Sequence, residues 1–82
     1  MMKPEKVKLD AIYVPAKFRG TLDRQKVEGL AENMLAVGQQ TPIQVRRDKE
    51  RYVLVAGFHR LEALRALGSD TIEALIVNAR LH

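Results

Sequence analysis

The stretch VAGFHRLEALRALG, which runs from Val55 to Gly68, decides the fold because one glycine in it separates two apolar patterns. From Phe58 to Leu67 the apolar residues recur at helical spacing, which predicts a helix that stops at the closing glycine. The residues before Gly57 are continuously apolar, which predicts a strand. The helical period also places one charged residue, Arg60, on the apolar stripe of the helix.

An unpaired guanidinium is costly to bury, so Arg60 must either have an anionic partner or lie at the open end of the helix–sheet interface, and its position in the first turn favours the open end. One candidate is a phosphate at the start of the helix, where free N–H groups and the helix dipole attract anions and Gly57 allows close approach to the backbone. The other candidate is a structural carboxylate, Asp23 or Asp70. His59 likewise is either a surface or capping residue or part of a binding site.

The segments around this junction predict a small α/β (α+β) domain in which helices pack on one mixed sheet. The predicted strands are Glu5–Leu9, Ile43–Arg47, Tyr52–Ala56 and a last strand from Thr71 or Ile72 to about Asn78. The other segments are a connector (Ala11–Arg19), a helix from an N-cap at Thr21 or Asp23 to Gly38, and a polar turn (Asp48–Glu50). The predicted order is therefore β-α-β-β-α-β.

Two of these elements carry more specific expectations. In the first helix, Val27, Leu30, Ala31, Met34 and Val37 form one apolar stripe. The strand Tyr52–Ala56 is apolar at every position, which predicts a place near the middle of the sheet with both faces covered.

Composition limits the classes of function. The 82 residues, 46% hydrophobic and 29% charged, predict a single folded domain with one site. The absence of cysteine excludes disulfides, thiolate nucleophiles and cysteine-based metal sites. His59 and His82 lie far apart without carboxylates at ligand spacing, so no metal held by side chains is expected. No apolar run approaches the length of about 18 residues that a membrane span needs, and the N-terminus lacks a signal-peptide core, so we expect a cytoplasmic protein without a membrane partner.

The net charge of +4 suggests a nucleic-acid partner, because phosphates attract clustered basic residues. Much of the excess lies in Arg46, Arg47, Lys49 and Arg51. Asp48 and Glu50 interrupt this cluster, so it is either a nucleic-acid contact or a solvated hairpin tip.

The stretch AGFHRLEALRALG, together with TPIQVR and LDRQKVEGLAENMLAVG before it, resembles the ParB/sulfiredoxin superfamily over nearly the whole chain. It is similar to the ParB N-terminal-like (ParB-like nuclease) domain, whose pattern is a connector ending in Arg, a helix ending in Gly, a QPI-x-VR strand and G-E-R-R-x-R-A. The residues that match are Arg19, Gly38, Pro42, Ile43, Val45, Arg46, Gly57, Arg60 and Ala63. The sulfiredoxin version of the junction reads G-C-H-R, and it is matched by Gly57, His59, Arg60, Thr71 and Ile72, with Leu22, Asp23, Lys26 and Val27 in the first helix.

The resemblance implies a pocket for a nucleoside triphosphate, CTP or ATP, together with Mg²⁺. The implied binding residues are Gly57, Phe58, His59 and Arg60 at the junction, with Arg19, Lys26, Thr41 and Pro42 as secondary candidates. The alternative to nucleotide binding is an exposed, solvated side chain for Arg19 and Lys26. For Thr41 and Pro42 the alternative is a plain turn.

Departures from the family pattern limit the chemistry. Phe58 stands where sulfiredoxins have their catalytic cysteine, so sulfinic acid reduction is not available. The glutamate of the ParB G-E-R-R motif is missing, and Lys17 stands where the ParB connector usually has a glutamine linked to nucleotide turnover, which leaves hydrolysis open. The sequence stops before the helix-turn-helix region of ParB proteins, so sequence-specific DNA binding by this segment alone is not expected.

Three functions are compatible with these residues. The first is a nucleotide-binding ParB-like module in DNA segregation or a related plasmid or phage process, where nucleotide controls a homodimer or a partner protein and the resemblance allows association with DNA and the nucleoid. The second is a small phosphotransferase or a Mg²⁺-dependent nuclease, although the lack of paired carboxylates for a metal disfavours the nuclease. The third is a non-catalytic DNA-contact or protein-interaction module that uses the basic hairpin.

Overall fold

Five strands form one mixed sheet in the computed structural model, which describes residues 3–78. Within this range two α-helices and two short 3₁₀ turns, Leu9–Ala11 and Ala16–Thr21, connect the strands. In chain order the elements are β1 (Glu5–Lys8), β2 (Ile12–Tyr13), α1 (Arg24–Val37), β3 (Ile43–Asp48), β4 (Arg51–Ala56), α2 (Phe58–Ala66) and β5 (Thr71–Ile76). His82 lies outside the described residues.

The strand order across the sheet is β1-β5-β3-β4-β2, so β3 is the central strand. β3 and β4 form an antiparallel hairpin, and β1 pairs antiparallel with β5. The β3–β5 and β2–β4 pairs are parallel. This mixed sheet with its two helices confirms the predicted fold class.

The predicted connector Ala11–Arg19 is more structured than the sequence indicates. It contains β2, in which Ile12 and Tyr13 pair in parallel with β4, and most of the second 3₁₀ turn. A strand of two residues is too short for apolar alternation to be recognised, which is why the predicted order lacked it. β2 also places β4 between two strands, and both Val53 and Leu54 of β4 are buried although they point to opposite faces.

The main hydrophobic core lies between the sheet and α2. The largest fully buried side chains are Ile43, Val45, Leu54, Leu61 and Ile72. α1 packs mainly against α2, and it buries only one residue of the predicted stripe fully, Met34. Val37, the last residue of α1, is 56% exposed.

Both ends of α1 have the caps that the sequence predicts. Of the two N-cap candidates the structure selects Asp23, whose Oδ1 accepts hydrogen bonds from the N–H groups of Gln25 (3.1 Å) and Lys26 (3.3 Å). Gly38 ends the helix with a positive φ of 80°, and its N–H donates to the Met34 carbonyl at 2.7 Å. The first turn of α1 is therefore held in place by its N-cap.

Gln39 joins the end of α1 to β5 through its side-chain amide. Its Oε1 accepts from the Glu73 N–H at 2.8 Å, and its Nε2 donates to the carbonyls of Glu73 (2.9 Å) and Thr41 (3.0 Å). We expect Gln39→Ala to lower the free energy of unfolding by about 1–2 kcal/mol, because part-buried backbone groups lose their partner. Urea unfolding measures the change. The neighbouring Gln40→Ala is the control, since Gln40 is exposed and its side chain makes no hydrogen bond within residues 3–78. Equal unfolding midpoints for the two variants would contradict the expectation.

Candidate functional site

Gly57 forms the junction between β4 and α2 in the left-handed conformation, with φ 100° and ψ 29°. A Cβ atom at this position would lie 2.7 Å from Cγ2 and 2.9 Å from Cβ of Ile43 on β3. Ile43 is completely buried, so any movement of its side chain would displace neighbouring core side chains. Both the backbone angle and the contact therefore require glycine.

The start of α2 presents backbone donors without an internal partner. No side chain caps the helix, and its first i→i−4 bond runs from the Leu61 N–H to the Gly57 carbonyl at 3.0 Å. The N–H groups of Phe58, His59 and Arg60 precede that bond, so the helix offers them no carbonyl. Together with the helix dipole they form an arrangement that suits an anion.

The side chain of Arg60 is half-buried and has no anionic partner among the described residues. Asp23 caps α1, and the exposed Asp70 makes no ion pair within residues 3–78. The carboxylate alternative for Arg60 is therefore not seen. A half-buried guanidinium beside free N–H groups retains its full capacity to bind an external anion.

His59 connects the start of α2 to the start of α1. Its Nε2 lies 3.1 Å from the N–H nitrogen of Asp23 and 3.1 Å from the carbonyl oxygen of Thr21. One tautomer accepts from Asp23 and the other donates to Thr21, so either form joins the two helices. The described residues provide Nδ1 with no hydrogen bond. His59 thus has a capping role at the start of α1, which is one of the alternatives that the sequence predicts, and it also lies in the first turn of α2.

Phe58 faces inward. Its side chain is 7% exposed, belongs to the main core and packs on Phe18 with ring centroids 5.7 Å apart. Any contribution of Phe58 to ligand binding at the start of α2 therefore comes from its backbone N–H. The part of the sulfiredoxin motif that carries the catalytic cysteine is here a packing position.

The secondary candidates lie on segments that meet this junction. Arg19 is exposed on the second 3₁₀ turn and lines a cavity of about 310 Å³ that Phe58 also lines. Lys26 is exposed in the first turn of α1, which is connected to His59 through the N-cap. Thr41 and Pro42 directly precede the isoleucine that contacts Gly57, and the Thr41 carbonyl accepts from Gln39.

The four basic hairpin residues lie apart from the start of α2 and have different environments. Arg47 stacks over Tyr52 at 5.1 Å, and Arg51 stacks over Tyr13 at 4.4 Å. Arg51 also pairs with Asp48 at 3.4 Å. Arg46 and Lys49 are exposed, and Lys49 occupies the turn with φ 57°. The cluster is therefore not one uniform basic surface.

Two contacts that shape the site are not predictable from local sequence, Ile43 against Gly57 and Asp23 against His59. Both join residues that are far apart in the chain, so no local pattern signals them. Within residues 3–78, no three His, Asp or Glu side chains are arranged to hold a metal ion. No helix in that range has the length and apolarity needed to cross a membrane.

Comparison with known proteins identifies the family. The ParB N-terminal domain model matches residues 3–81. A nucleoid occlusion protein of Halalkalibacterium halodurans is 37% identical over 65 residues, which are 77% of this chain and 23% of the relative. A probable chromosome-partitioning protein ParB of Campylobacter jejuni is 33% identical over 64 residues, which are 78% of this chain and 23% of the relative. The chain thus spans about a quarter of the length of these curated relatives.

Solved structures with the same fold include members of both branches of the superfamily. Sulfiredoxin from Arabidopsis thaliana is 30% identical with a TM-score of 0.81, covering 96% of this chain and 86% of its own. Truncated ParB from Caulobacter crescentus complexed with CTP-γ-S is 22% identical with a TM-score of 0.82, covering 95% and 46%. A free serine kinase mutant in complex with ADP is 22% identical with a TM-score of 0.78, covering 92% and 31%. Because the family model matches almost every residue and the fold agrees, this chain belongs to the ParB N-terminal domain family.

Proposed function

We propose that this domain binds a nucleoside triphosphate, CTP or ATP, with the phosphates at the Gly57–Arg60 junction. The domain would act in DNA segregation or a related plasmid or phage process, with nucleotide controlling a partner protein or a second copy of the chain. The family relationship to chromosome-partitioning and nucleoid occlusion proteins supports this setting.

The observation that carries the proposal is the unpartnered Arg60 beside an uncapped helix start. A phosphate would satisfy both groups at once, because its oxygens accept from backbone N–H groups and from the two-pronged guanidinium. Arg19 and Lys26 add positive charge on the two segments that border the junction. A polyphosphate, rather than a single carboxylate, matches cations distributed over three segments.

Structural relatives support the same ligand class. The ParB of Caulobacter crescentus was solved with CTP-γ-S, and the free serine kinase with ADP. These ligands differ in base and share a phosphate chain. The feature of this chain that suits both is the phosphate-binding geometry at Gly57.

Magnesium would arrive with the triphosphate. Mg²⁺ is usually held by phosphate oxygens, water and one or two carboxylates rather than by a full protein cage.

A thermal-shift panel tests the proposal. CTP, ATP, GTP and UTP, each with and without magnesium, are added to the wild-type chain. A ligand at 100 times its Kd stabilises the native state by about 2.7 kcal/mol, which corresponds to a rise in melting temperature of roughly 10 °C or more for a domain of this size. We expect this rise for CTP or ATP. Inorganic tripolyphosphate separates phosphate binding from base recognition, and an unchanged melting temperature with every nucleotide would overturn the proposal.

A further inference from the structure

The sheet has a second face, opposite the helices, that no other element of the described chain covers as a layer. Strand alternation defines it: Val7, Val45 and Leu54 point into the core, so their neighbours point the other way. We call this surface the open face, and its members include Lys6, Lys8, Gln44, Arg46, Val53 and Val55.

A groove of about 680 Å³ lies on the open face. Its floor contains the valines Val53, Val55 and Val77, and its rim contains Lys17 and Arg46. Val53 is only 5% exposed although it lies outside the main core cluster, so the floor is recessed below the surrounding side chains. The groove therefore combines an aliphatic bottom with a basic edge.

The open face carries more cations than acids. Its cations among the described residues are Lys6, Lys8, Lys17, Arg46 and Arg51. Strand alternation places two acids on this face. Glu73 lies directly across from Lys6, and Asp48 pairs with Arg51 at 3.4 Å, which leaves Lys8, Lys17 and Arg46 as the unpaired cations of that set. An acidic partner is thus complementary in charge to this surface.

We propose that the groove on the open face binds an extended acidic peptide segment of a partner protein that carries aliphatic side chains. In an extended chain alternate residues point to the same side, so aliphatic residues would contact the valine floor while acidic residues face the basic rim. This site lies on the opposite side of the sheet from Gly57 and is independent of nucleotide binding.

The floor favours a peptide over single-stranded nucleic acid. Bases bind such surfaces by stacking on aromatic rings. Tyr13 is the only aromatic residue that the described strands place on the open face, and Arg51 already covers its ring at 4.4 Å. Valine side chains instead suit aliphatic partners, which gain from burial of apolar area.

An NMR titration tests the inference, with a synthetic peptide of alternating aspartate and valine as the probe. We expect the amide signals of the groove residues to shift. Arg46→Glu should weaken binding by about tenfold or more, because it places a negative charge against the acidic peptide. The matched control is Arg47→Glu, which makes the same charge change at the next residue, where the side chain stacks over Tyr52 on the other face. This control should change the Kd by less than about twofold, and melting curves verify that both variants fold.

Other probes distinguish the alternatives. A peptide of alternating aspartate and glycine has the charge without the aliphatic groups, and it should bind more weakly than the valine peptide. The inference is overturned if the two peptides bind equally, if the shifts lie near α2, or if Arg46→Glu and Arg47→Glu have equal effects. Tighter binding of a DNA oligonucleotide, with the same dependence on Arg46, would assign the face to nucleic acid instead.

Discussion

The Arg60→Ala variant is expected to keep its fold but to lose the rise in melting temperature that CTP or ATP produces in the wild-type chain. Arg60 makes no ion pair within residues 3–78, so its removal breaks no internal salt bridge. Its hydrogen bonds to phosphate would each contribute about 1.5–3 kcal/mol. Loss of the two-pronged contact should therefore weaken affinity about 100-fold. At the ligand concentration used above, the remaining stabilisation would be about 0.4 kcal/mol.

Two control variants make this result specific. Arg60→Lys keeps the charge but removes the planar fork, so an intermediate shift is expected. Arg46→Ala removes an exposed arginine on the opposite side of the sheet and should leave the nucleotide shift intact. If Arg60→Ala shows the full rise in melting temperature with nucleotide, the phosphates do not bind at this junction, even though the chain binds nucleotide.

Gly57→Ala should lower the free energy of unfolding by about 3 kcal/mol or more. A non-glycine residue in left-handed backbone costs about 1–2 kcal/mol, and overpacking a closed core costs about 1–3 kcal/mol. Both penalties apply, because the φ is 100° and the new methyl group would lie 2.7 Å from Ile43 Cγ2. For a domain of this size the melting temperature should fall by roughly 15 °C. Thermal and urea unfolding measure this loss without any ligand.

Gly29→Ala is the matched control for that substitution. Gly29 lies inside α1, and a Cβ there would meet nothing within 4 Å. Alanine should stabilise the helix by about 0.5–1 kcal/mol, so the two glycine variants are expected to change stability in opposite directions. A Gly57→Ala protein as stable as the wild type would show that Ile43 can move away, contrary to its complete burial.

The features that the sequence predicts correctly are those that depend on neighbouring residues. The β3–β4 hairpin, both caps of α1 and the Gly57 junction all follow from short local patterns. The inward position of Phe58 also had a local signal, because Phe58 lies three residues before Leu61 and so shares its helical stripe.

The features that the sequence does not predict depend on where distant segments meet. Whether Arg60 pairs with Asp23, with Asp70 or with neither is decided by the packing of α1 on α2 and by the cap that occupies Asp23. β2 is missed for a different reason, since two residues contain too little pattern to define a strand. The position of the Gly57 junction is therefore predictable from sequence, whereas the absence of an internal partner for Arg60 within residues 3–78 is visible only in the three-dimensional fold.

The pairing of β1 with β5 has a consequence for how the domain is made. The register places Glu5 opposite Ala74, so β1, the first strand of the chain, cannot pair until β5, the last strand, has formed. β1 pairs with no other strand in the described chain, and its Val7, which lies opposite Ile72 of β5, is 4% exposed. During synthesis, which proceeds from the N-terminus, the β3–β4 hairpin and α2 can form while β1 remains unpaired. Completion of the sheet is consequently a late event that joins distant parts of the chain. A ribosome-bound chain that stops before β5 leaves both β1 and one edge of β3 unpaired.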